Sequence, residues 1–510
     1  MASVRGGAVL LGLLLGSAGA GAQDVFPAKL SAEPPEVVLR DPDQSIQFVV
    51  TAEMTDGSLR DATLSARYTL DSGAAPIALL HHGRLTPTLS GQGTVTVRFE
   101  GAEGRAVETR VPVRIELPAG ERTVSFVNDV IPILTKAGCN SGGCHGKSTG
   151  QNGFSLSLLG FEPDHDYDAL VNEGRGRRLF PAAPDQSLFL RKAIGQPAHG
   201  GGVRILEDSR EYRLIRRWIE QGMPKGTPAD PVVDRIDVFP RERILVGSDE
   251  QQLRVVATYS DKTTQDVTRQ AEYKSQQPDI LKVDPSGLAT TLHRTGEGAI
   301  MVRYMGLVDV AKVTVPFHHD VPASAYSGFV ARNYVDELML RKWKKLGIAP
   351  SPRSTDEAFI RRAFLDAIGT LPTPEEVTAF VADSAPDKRD RLVDRILERP
   401  EYADYWANLW GDLLRNKREG DEQKRGTFAF AAWIRNCFAE NLPYDQFVRE
   451  ILTAQGEVGD NPAVNWYRHV RNQIHLVNDT SQLFGNETFG RGTVGGKSAD
   501  VHKQPVEPTV

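Results

Sequence analysis

Two of the three cysteines of this 510-residue chain, Cys139 and Cys144, lie just before His145. Two thiols and an adjacent imidazole are the groups that attach a haem through thioether bonds and ligate its iron from one side. The usual spacing has two residues between the cysteines, whereas four small or polar residues, 140–143, stand here. Since such residues tolerate positive φ, we expect the longer loop to fold back on itself. The pattern predicts one covalently attached haem c, held by both cysteines, with His145 as the proximal ligand.

A haem iron has a second axial position, and three downstream side chains are candidates for it: His165, His199 and Met223. His199 lies in a glycine-rich loop shortly before a predicted helix, which is where small cytochromes place their distal ligand. We therefore predict that His199 is the distal ligand, with Met223 as the alternative. Ligation by two histidines gives a lower potential than histidine with methionine, because methionine raises it.

Other interpretations of the same residues stay open at this stage. In an oxidising compartment Cys139 and Cys144 can form a small disulfide. Together with His145 and His199 they can also form a tetrahedral zinc site. A reactive dithiol is less consistent with the spacing, because redox pairs are separated by two residues. The histidine directly after the second cysteine favours haem, since neither a disulfide nor zinc requires it there.

The elements that position this loop are predicted to be helices. Phe126, Val130, Ile133 and Leu134 recur at helical spacing, and Gly138 ends that helix just before Cys139. A closing helix carries an apolar stripe over 214–219, and we expect Asp208 and Glu211 to form its capping box. The region 121–226 is therefore predicted to be an α-helical haem domain.

Two regions on either side of it have alternating, strand-like patterns punctuated by turn residues. In 28–117 the strand-like segments are 46–50, 94–99 and 111–115. The region 233–317 repeats this design, with 253–259 and 299–304 as the matching segments. Both regions are predicted to be antiparallel β-sandwiches.

A further α-helical domain is predicted over 326–484. Thr373-Pro374-Glu375-Glu376 is a complete helix start signal, and Ser354 with Glu357 indicates another. Cys437 lies on an apolar helix and is predicted to be a small core residue. The polar, glycine-rich stretch 485–510 is predicted to be a disordered tail. The fold class is thus multi-domain, with all-β Ig-like sandwiches flanking an α-helical cytochrome c-like domain and an α-helical domain after them.

The first 22 residues have the pattern of a signal peptide, with Arg5, an apolar run and an Ala-Gly-Ala cleavage site. The apolar run is too short to span a bilayer, so we expect no transmembrane segment in the mature chain and an exported protein of the periplasm or cell envelope. The net charge of −6 argues against nucleic-acid binding, which needs a concentrated basic face.

The β regions resemble bacterial group 2 Ig-like domains of the intimin type, most clearly at Ala257-Thr258-Tyr259-Ser260-Asp261. Residues 121–226 resemble the planctomycete-type cytochrome c-like domain in five stretches: 126–134, 139–146, 152–154, 183–187 and 199–202. In that family the wider-spaced cysteine pair recurs, which implies haem attachment at Cys139 and Cys144.

Residues 326–484 resemble the helical domain of unknown function that accompanies this cytochrome domain. The resemblance is carried by 361–366, 371–376, 391–395 and 442–448. Relatives continue after the stretch matching 476–484 into a second Cys-x-x-Cys-His motif. Here the stretch from Gly485 has no cysteine, and we expect a truncated or frame-shifted product without that second haem.

Three functions follow as hypotheses. The first is an exported, multi-modular c-type cytochrome that transfers electrons to redox partner proteins of the cell envelope. The second is an envelope interaction protein whose Ig-like domains bind polysaccharide, with Cys139 and Cys144 as a structural disulfide. The third is an enzyme that uses charged residues near aromatics in the helical domain, although their spacing does not indicate acid/base work; these residues are Asp404, Asp412, Arg415 and Asp445.

Overall fold

The computed structural model describes residues 25–73, 75–101, 104–317, 321–418, 420, 424–468, 470 and 473–484. The predicted signal peptide and the predicted disordered tail lie outside these residues. The chain forms two compact units, one up to Pro350 and one from Ser351 onward. Every helix in the described part of the chain is too short or too polar to cross a bilayer.

The first β region is built from short strands, as the alternating pattern predicts. They are β1 (Pro27–Glu33), β2 (Val37–Leu39), β3 (Ile46–Gln47), β4 (Val49–Met54), β5 (Leu59–Asp61), β6 (Arg67–Asp71), β7 (Ala78–His81), β8 (Arg84–Pro87), β9 (Gly91–Glu100) and β10 (Ala106–Ile115). Three sheets result, with the orders β1-β4-β5, β2-β10-β9-β6 and β3-β8-β7. Inward-facing side chains such as Phe48, Val50 and Val95 form one buried core, so the region is a β-sandwich.

The second β region has the same topology. Its strands are β11 (Val233–Phe239), β12 (Glu242–Ile244), β13 (Glu250–Gln252), β14 (Arg254–Tyr259), β15 (Thr264–Asp266), β16 (Glu272–Ser275), β17 (Leu281–Val283), β18 (Leu288–Thr291), β19 (Gly296–Tyr304) and β20 (Leu307–Val315). The sheet orders are β11-β14-β15, β12-β20-β19-β16 and β13-β18-β17, which repeat the first region strand for strand. The predicted repetition of design is therefore confirmed at the level of strand order.

Side-chain contacts repeat as well. In the first sandwich the Thr63 hydroxyl accepts from Val50 N at 2.9 Å and the Tyr68 hydroxyl donates to the Thr63 carbonyl. In the second, Thr268 accepts from Val255 N at 2.9 Å and Tyr273 donates to the Thr268 carbonyl. These residues are 205 positions apart in each pair, which indicates an internal duplication.

The two sandwiches contact each other reciprocally along a seam. The Gln47 amide of the first sandwich donates to Asp266 Oδ2 at 3.0 Å. The Gln252 amide of the second donates to Asp61 Oδ2 at 2.7 Å. Since Gln252 and Asp266 are the repeat equivalents of Gln47 and Asp61, the seam has an approximate twofold relation within one chain. Because these hydrogen bonds join the two sandwiches in both directions, the sandwiches lie side by side.

A helical segment lies between the sandwiches in sequence. Its helices are α1 (Ile131–Lys136), α2 (Pro163–Tyr167), α3 (Leu188–Ala193) and α4 (Arg210–Glu220), with π-helical turns at Phe126–Val130 and Asp168–Asn172 and short 3₁₀ turns between the helices. The segment has its own buried core, in which Trp218 packs against Phe126 at a ring-centroid distance of 5.4 Å. The opening and closing helices therefore pack against each other, as the two apolar patterns predict.

The predicted cap of α4 is wrong by one residue. Ser209, not Asp208, is the N-cap, and its hydroxyl accepts from the Tyr212 amide at 3.2 Å. Asp208 instead has φ of 60°, a left-handed conformation that turns the chain into the helix. Aspartate and serine are both good caps, and their order in the chain alone does not decide between them.

After the second sandwich the described part of the chain is helical. The helices are α5 (Tyr334–Leu346), α6 (Asp356–Ile368), α7 (Pro374–Ala382), α8 (Lys388–Leu397), α9 (Pro400–Leu413), α10 (Lys424–Ala439), α11 (Tyr444–Leu452) and α12 (Gln473–Phe484). The predicted capping box of α7 is confirmed, because Thr373 and Glu376 bond each other's backbone amides. The cap predicted at Ser354 is wrong, since Thr355 caps α6. Cys437 is buried in the core of the second unit, as predicted.

Candidate cofactor site

The loop that carries both cysteines closes on itself. Helix α1 ends at Lys136, and Gly138, whose φ is +73°, turns the chain two residues later. The His145 amide then donates to the Cys139 carbonyl at 3.0 Å, and the Cys144 amide donates to Ser141. A Cβ on Gly146 would lie 1.9 Å from the Asn140 carbonyl oxygen, so only glycine fits there. The expectation that the longer loop folds back is confirmed.

The two cysteines have different surroundings. Cys139 is buried, and burial raises the pKa of its thiol to about 11. Cys144 is half-buried, and its sulfur lies 3.6 Å from Arg204 Nη2. Both thiols are free. The predicted pair of attachment points therefore consists of one thiol inside the fold and one near its surface.

His145 is held in a single orientation by the segment that follows the loop. Its Nδ1 lies 2.9 Å from the Phe154 carbonyl oxygen, and its ring packs on the Phe154 ring at 4.6 Å. A carbonyl oxygen only accepts, so Nδ1 carries the proton and Nε2 keeps its lone pair. Burial lowers the pKa of His145, which favours this neutral form.

His199 has the same kind of support. Its Nδ1 lies 2.9 Å from the Gly202 carbonyl oxygen, so this ring too presents an Nε2 lone pair. Its loop is tied to α3, since Lys192 Nζ donates to the Ala198 carbonyl at 2.7 Å. Metal-ligating histidines are commonly oriented through such a bond from the other ring nitrogen.

The structure brings the two histidines together across a cavity. Their ring centroids are 6.3 Å apart and their planes differ by 8°. The cavity has a volume of about 420 Å³ and is lined by Cys139, both histidines and the apolar side chains of Phe154, Leu188 and Phe189, among others. This volume lies within the range of about 300–1,000 Å³ that is usual for ligand and cofactor sites.

One wall of the cavity is fixed by a buried arginine that sequence reasoning missed. Arg178 donates to the carbonyls of Ala169, Glu173 and Gly153, and its guanidinium lies 4.7 Å from the centre of the Phe154 ring. It thereby holds the residue whose carbonyl orients His145. No sequence pattern distinguishes Arg178 from its neighbours, because its partners are all backbone oxygens.

The other candidate axial ligands lie elsewhere. His165 is exposed on α2. Met223 packs against the core of the helical segment, and its carbonyl accepts from the Tyr167 hydroxyl. Neither residue lines the cavity, so of the three candidates His199 alone faces His145 there.

The zinc arrangement is not formed. Within the described ranges, no group of three or more His, Cys, Asp or Glu side chains is assembled in a way that could hold a metal ion. A structural zinc site needs four such ligands converging on one point.

The candidate catalytic residues of the second unit are not gathered into one site. Asp404 pairs with Arg435, and Arg415 pairs with Asp479 at 2.8 Å. Asp412 and Asp445 are exposed on α9 and α11. The first two are in ion pairs and the last two are solvated, which is what side chains on a helical surface ordinarily do.

The last helical region matches one protein-family model. Residues 334–487 match the PSCyt2 family, described as a protein of unknown function (DUF1549). This match spans α5 to α12, and the region is similar to that family over its whole described length. Comparison with curated proteins gives no match.

Solved structures that are similar to the chain are surface-layer and adhesion proteins. The S-layer protein rSbsC(31-844) is 10% identical with a TM-score of 0.16, over 59% of this chain and 28% of that one. Domains 5-6 of SbsC are 11% identical with a TM-score of 0.23, over 57% of this chain and 99% of theirs. An intimin mutant of EHEC O157:H7 is 15% identical with a TM-score of 0.13, over 32% of this chain and 74% of that one. The chain thus spans about a quarter of the length of the longer S-layer protein. Because the TM-scores are low, the β-sandwich fold is assigned from the strand order of this chain alone.

Proposed function

We propose that the chain is an exported c-type cytochrome that holds one haem between His145 and His199 and transfers electrons. The observation that carries this proposal is the pair of facing, nearly parallel imidazoles. Metal–imidazole bonds are about 2.0–2.1 Å long. In a five-membered ring with bonds of about 1.35 Å, each atom lies about 1.1–1.2 Å from the centroid.

Two imidazoles that bound one metal ion from opposite sides would therefore have centroids about 6.2–6.6 Å apart. The separation of 6.3 Å between His145 and His199 falls in this interval. Both rings also have Nδ1 bonded to a carbonyl, which leaves Nε2 as the ligating atom. The centroid separation and the two Nε2 lone pairs support the proposal that both histidines ligate one haem iron.

The remaining residues have roles that follow from their positions. Cys139 lies in the cavity wall and Cys144 lies in the same closed loop, so both belong to the segment that carries the proximal histidine. The apolar side chains Phe154, Leu188 and Phe189 exclude water from the cavity. A bound haem would supply a one-electron couple, and ligation by two histidines would set a lower potential than ligation by histidine and methionine.

Electron transfer by an exported protein requires redox partner proteins in the periplasm or cell envelope. We place the protein there on the basis of the N-terminal pattern of residues 1–22. The two sandwiches then act as a rigid mount, because the seam between them is closed by reciprocal hydrogen bonds.

The experiment is a pyridine haemochrome spectrum of the chain expressed with export and cytochrome c maturation machinery. Cys139→Ala/Cys144→Ala should lose the covalent haem. His199→Ala should keep the covalent haem but lose the low-spin spectrum of the oxidised protein. His165→Ala is the matched control, since His165 is exposed and does not line the cavity.

The result that contradicts the proposal is a colourless wild-type protein from a host that matures a control cytochrome. A covalent haem whose spectrum is unchanged in His199→Ala but high-spin in Met223→Leu would retain the cytochrome and reject His199 as the ligand.

A further inference from the structure

A second cleft lies on the seam between the two sandwiches, away from the histidine pair. It has a volume of about 510 Å³. The first sandwich contributes the hairpin formed by β7 and β8, and the second contributes Arg269 and the start of β18. Both repeats therefore build this cleft, and neither sandwich alone would contain it.

The cleft is lined by two arginines that have no acidic partner. Arg84 Nε donates to the Ser45 hydroxyl at 3.3 Å, and Arg269 Nη2 donates to Gln47 Oε1 at 2.8 Å. Among the ion pairs of the described residues, neither guanidinium lies within 4.0 Å of a carboxylate. In addition, Arg269 Nε is buried without any hydrogen-bond partner. A buried donor of this kind is costly unless something fills its place.

The two carboxylates that act electrostatically on Arg84, Glu211 and Asp266, form ion pairs with other cations. Asp266 accepts from Arg254 Nε at 2.9 Å, and both side chains are less than a tenth exposed. Glu211 lies 3.8 Å from Arg210. Burial lowers the pKa of Arg84, and the neighbouring cations Arg269 and Arg210 lower it further, although Glu211 and Asp266 act in the opposite direction.

The turn between β7 and β8 adds two imidazoles to the same cleft. His81 and His82 pack edge to face with ring centroids 4.0 Å apart. His82 and Gly83 have φ of 48° and 72°, so this is a two-residue turn of the kind that favours Asn-Gly. A histidine here places a hydrogen-bonding ring at the rim of the cleft, where asparagine would serve the turn better.

The floor of the cleft is apolar. Leu79 is 65% exposed and Leu64 is 39% exposed, and Leu288 of the second sandwich lies beside them. Exposed leucines next to unpaired arginines form a surface with both apolar and cationic parts. Such a surface fits a ligand that has an anionic group and an apolar face.

We propose that this seam cleft is a binding site for an oxyanion, a carboxylate or a sulfate group, carried on a glycan. Arg84 and Arg269 bind the anionic oxygens. His81 and His82 donate further hydrogen bonds at the rim, and the leucines contact the apolar face of a sugar ring. The site is independent of the haem cavity and gives the Ig-like pair a binding role of its own.

The test is calorimetric titration of the full chain with three tetrasaccharides and with sodium sulfate. The tetrasaccharides are a sulfated one from heparin, the carboxylated tetragalacturonate and the neutral maltotetraose. We expect the acidic probes to bind and Arg84→Gln/Arg269→Gln to weaken them at least tenfold. The matched control, Arg110→Gln/Arg114→Gln, removes two exposed arginines from β10 of the first sandwich and should change the affinity by less than twofold.

A single Arg84→Gln variant separates loss of binding from misfolding. It should fold normally, because the Arg84 guanidinium that it removes has one neutral hydrogen-bond partner, the Ser45 hydroxyl. It should weaken binding at least threefold with an unchanged urea midpoint. If sodium sulfate binds as tightly as the sulfated tetrasaccharide, the oxyanion site is supported and its natural ligand is a free anion. Equal weakening in the cleft and control variants, equal binding of maltotetraose, or no binding of any acidic probe overturns the proposal.

Discussion

The repeat-related aspartates at the seam provide a prediction with a built-in control. In Asp61, one oxygen accepts from Thr63 N and the other accepts from the Gln252 amide and from Gln251 Nε2. In Asp266, the same positions are filled by Thr268 N, the Gln47 amide and, in place of the glutamine, Arg254 Nε. The two carboxylates therefore differ mainly in one partner, which is neutral in one case and charged in the other.

Substituting either aspartate by asparagine keeps the shape and one acceptor oxygen, and turns an NH₂ group toward donors. For Asp61→Asn we expect the free energy of unfolding to fall by about 1–2 kcal/mol, the cost of one or two neutral hydrogen bonds. Burial raises the pKa of Asp61, so removing its charge near neutral pH offsets part of that cost.

Asp266→Asn should be more damaging. It also removes a hydrogen bond to a charged group, worth about 1.5–3 kcal/mol. Arg254, whose side chain is 9% exposed, keeps Glu33 at 3.1 Å, which prevents the full cost of an isolated buried charge, about 3–5 kcal/mol. We therefore expect Asp266→Asn to exceed Asp61→Asn by about 2 kcal/mol.

The assay is amide hydrogen exchange of peptides that cover β4 and β14, measured by mass spectrometry at pH 7. A difference of about 2 kcal/mol corresponds to roughly a 30-fold difference in protection. Adding Arg254→Met to each variant completes a double-mutant cycle. Equal protection in the two asparagine variants, or no coupling between Asp266 and Arg254, would refute the reasoning.

Three further predictions concern the helical segment and the thiols. Burial lowers the pKa of Lys136 to about 8, so between pH 8 and 10.5 the unfolded chain binds more protons than the folded chain. In urea unfolding, the stability of the wild type relative to Lys136→Met should therefore rise from pH 8 to 10.5. Trp218→Ala should lower the free energy of unfolding by about 3–5 kcal/mol in urea, because Trp218 is fully buried. Peptide mapping after brief iodoacetamide treatment of the haem-free native chain should find Cys144 alkylated and Cys139 and Cys437 protected; equal labelling contradicts the burial described.

Local sequence signals predicted much of the fold. Alternation over 46–50, 94–99 and 299–304 is enough for strands, since a half-buried strand needs apolar residues only at every second position. Where two capping residues stand side by side, as at 208–209 and 354–355, the local signal is ambiguous and the prediction missed by one residue. The tertiary packing of the helix decides which of the two hydroxyl or carboxyl groups reaches the free amide.

By itself the sequence determined the chemistry available: two cysteines before a histidine, a second histidine in a flexible loop, and a repeated strand pattern. Only the tertiary structure decided that His145 and His199 face each other at 6.3 Å, because the Phe154 and Gly202 carbonyls that orient the rings carry no side-chain signature. The seam could not be predicted from the sequence either, because Gln47 and Asp266, which are hydrogen-bonded across it, are 219 residues apart. Contacts between distant segments depend on packing of whole cores, and this is where the histidine cavity and the cationic cleft are made.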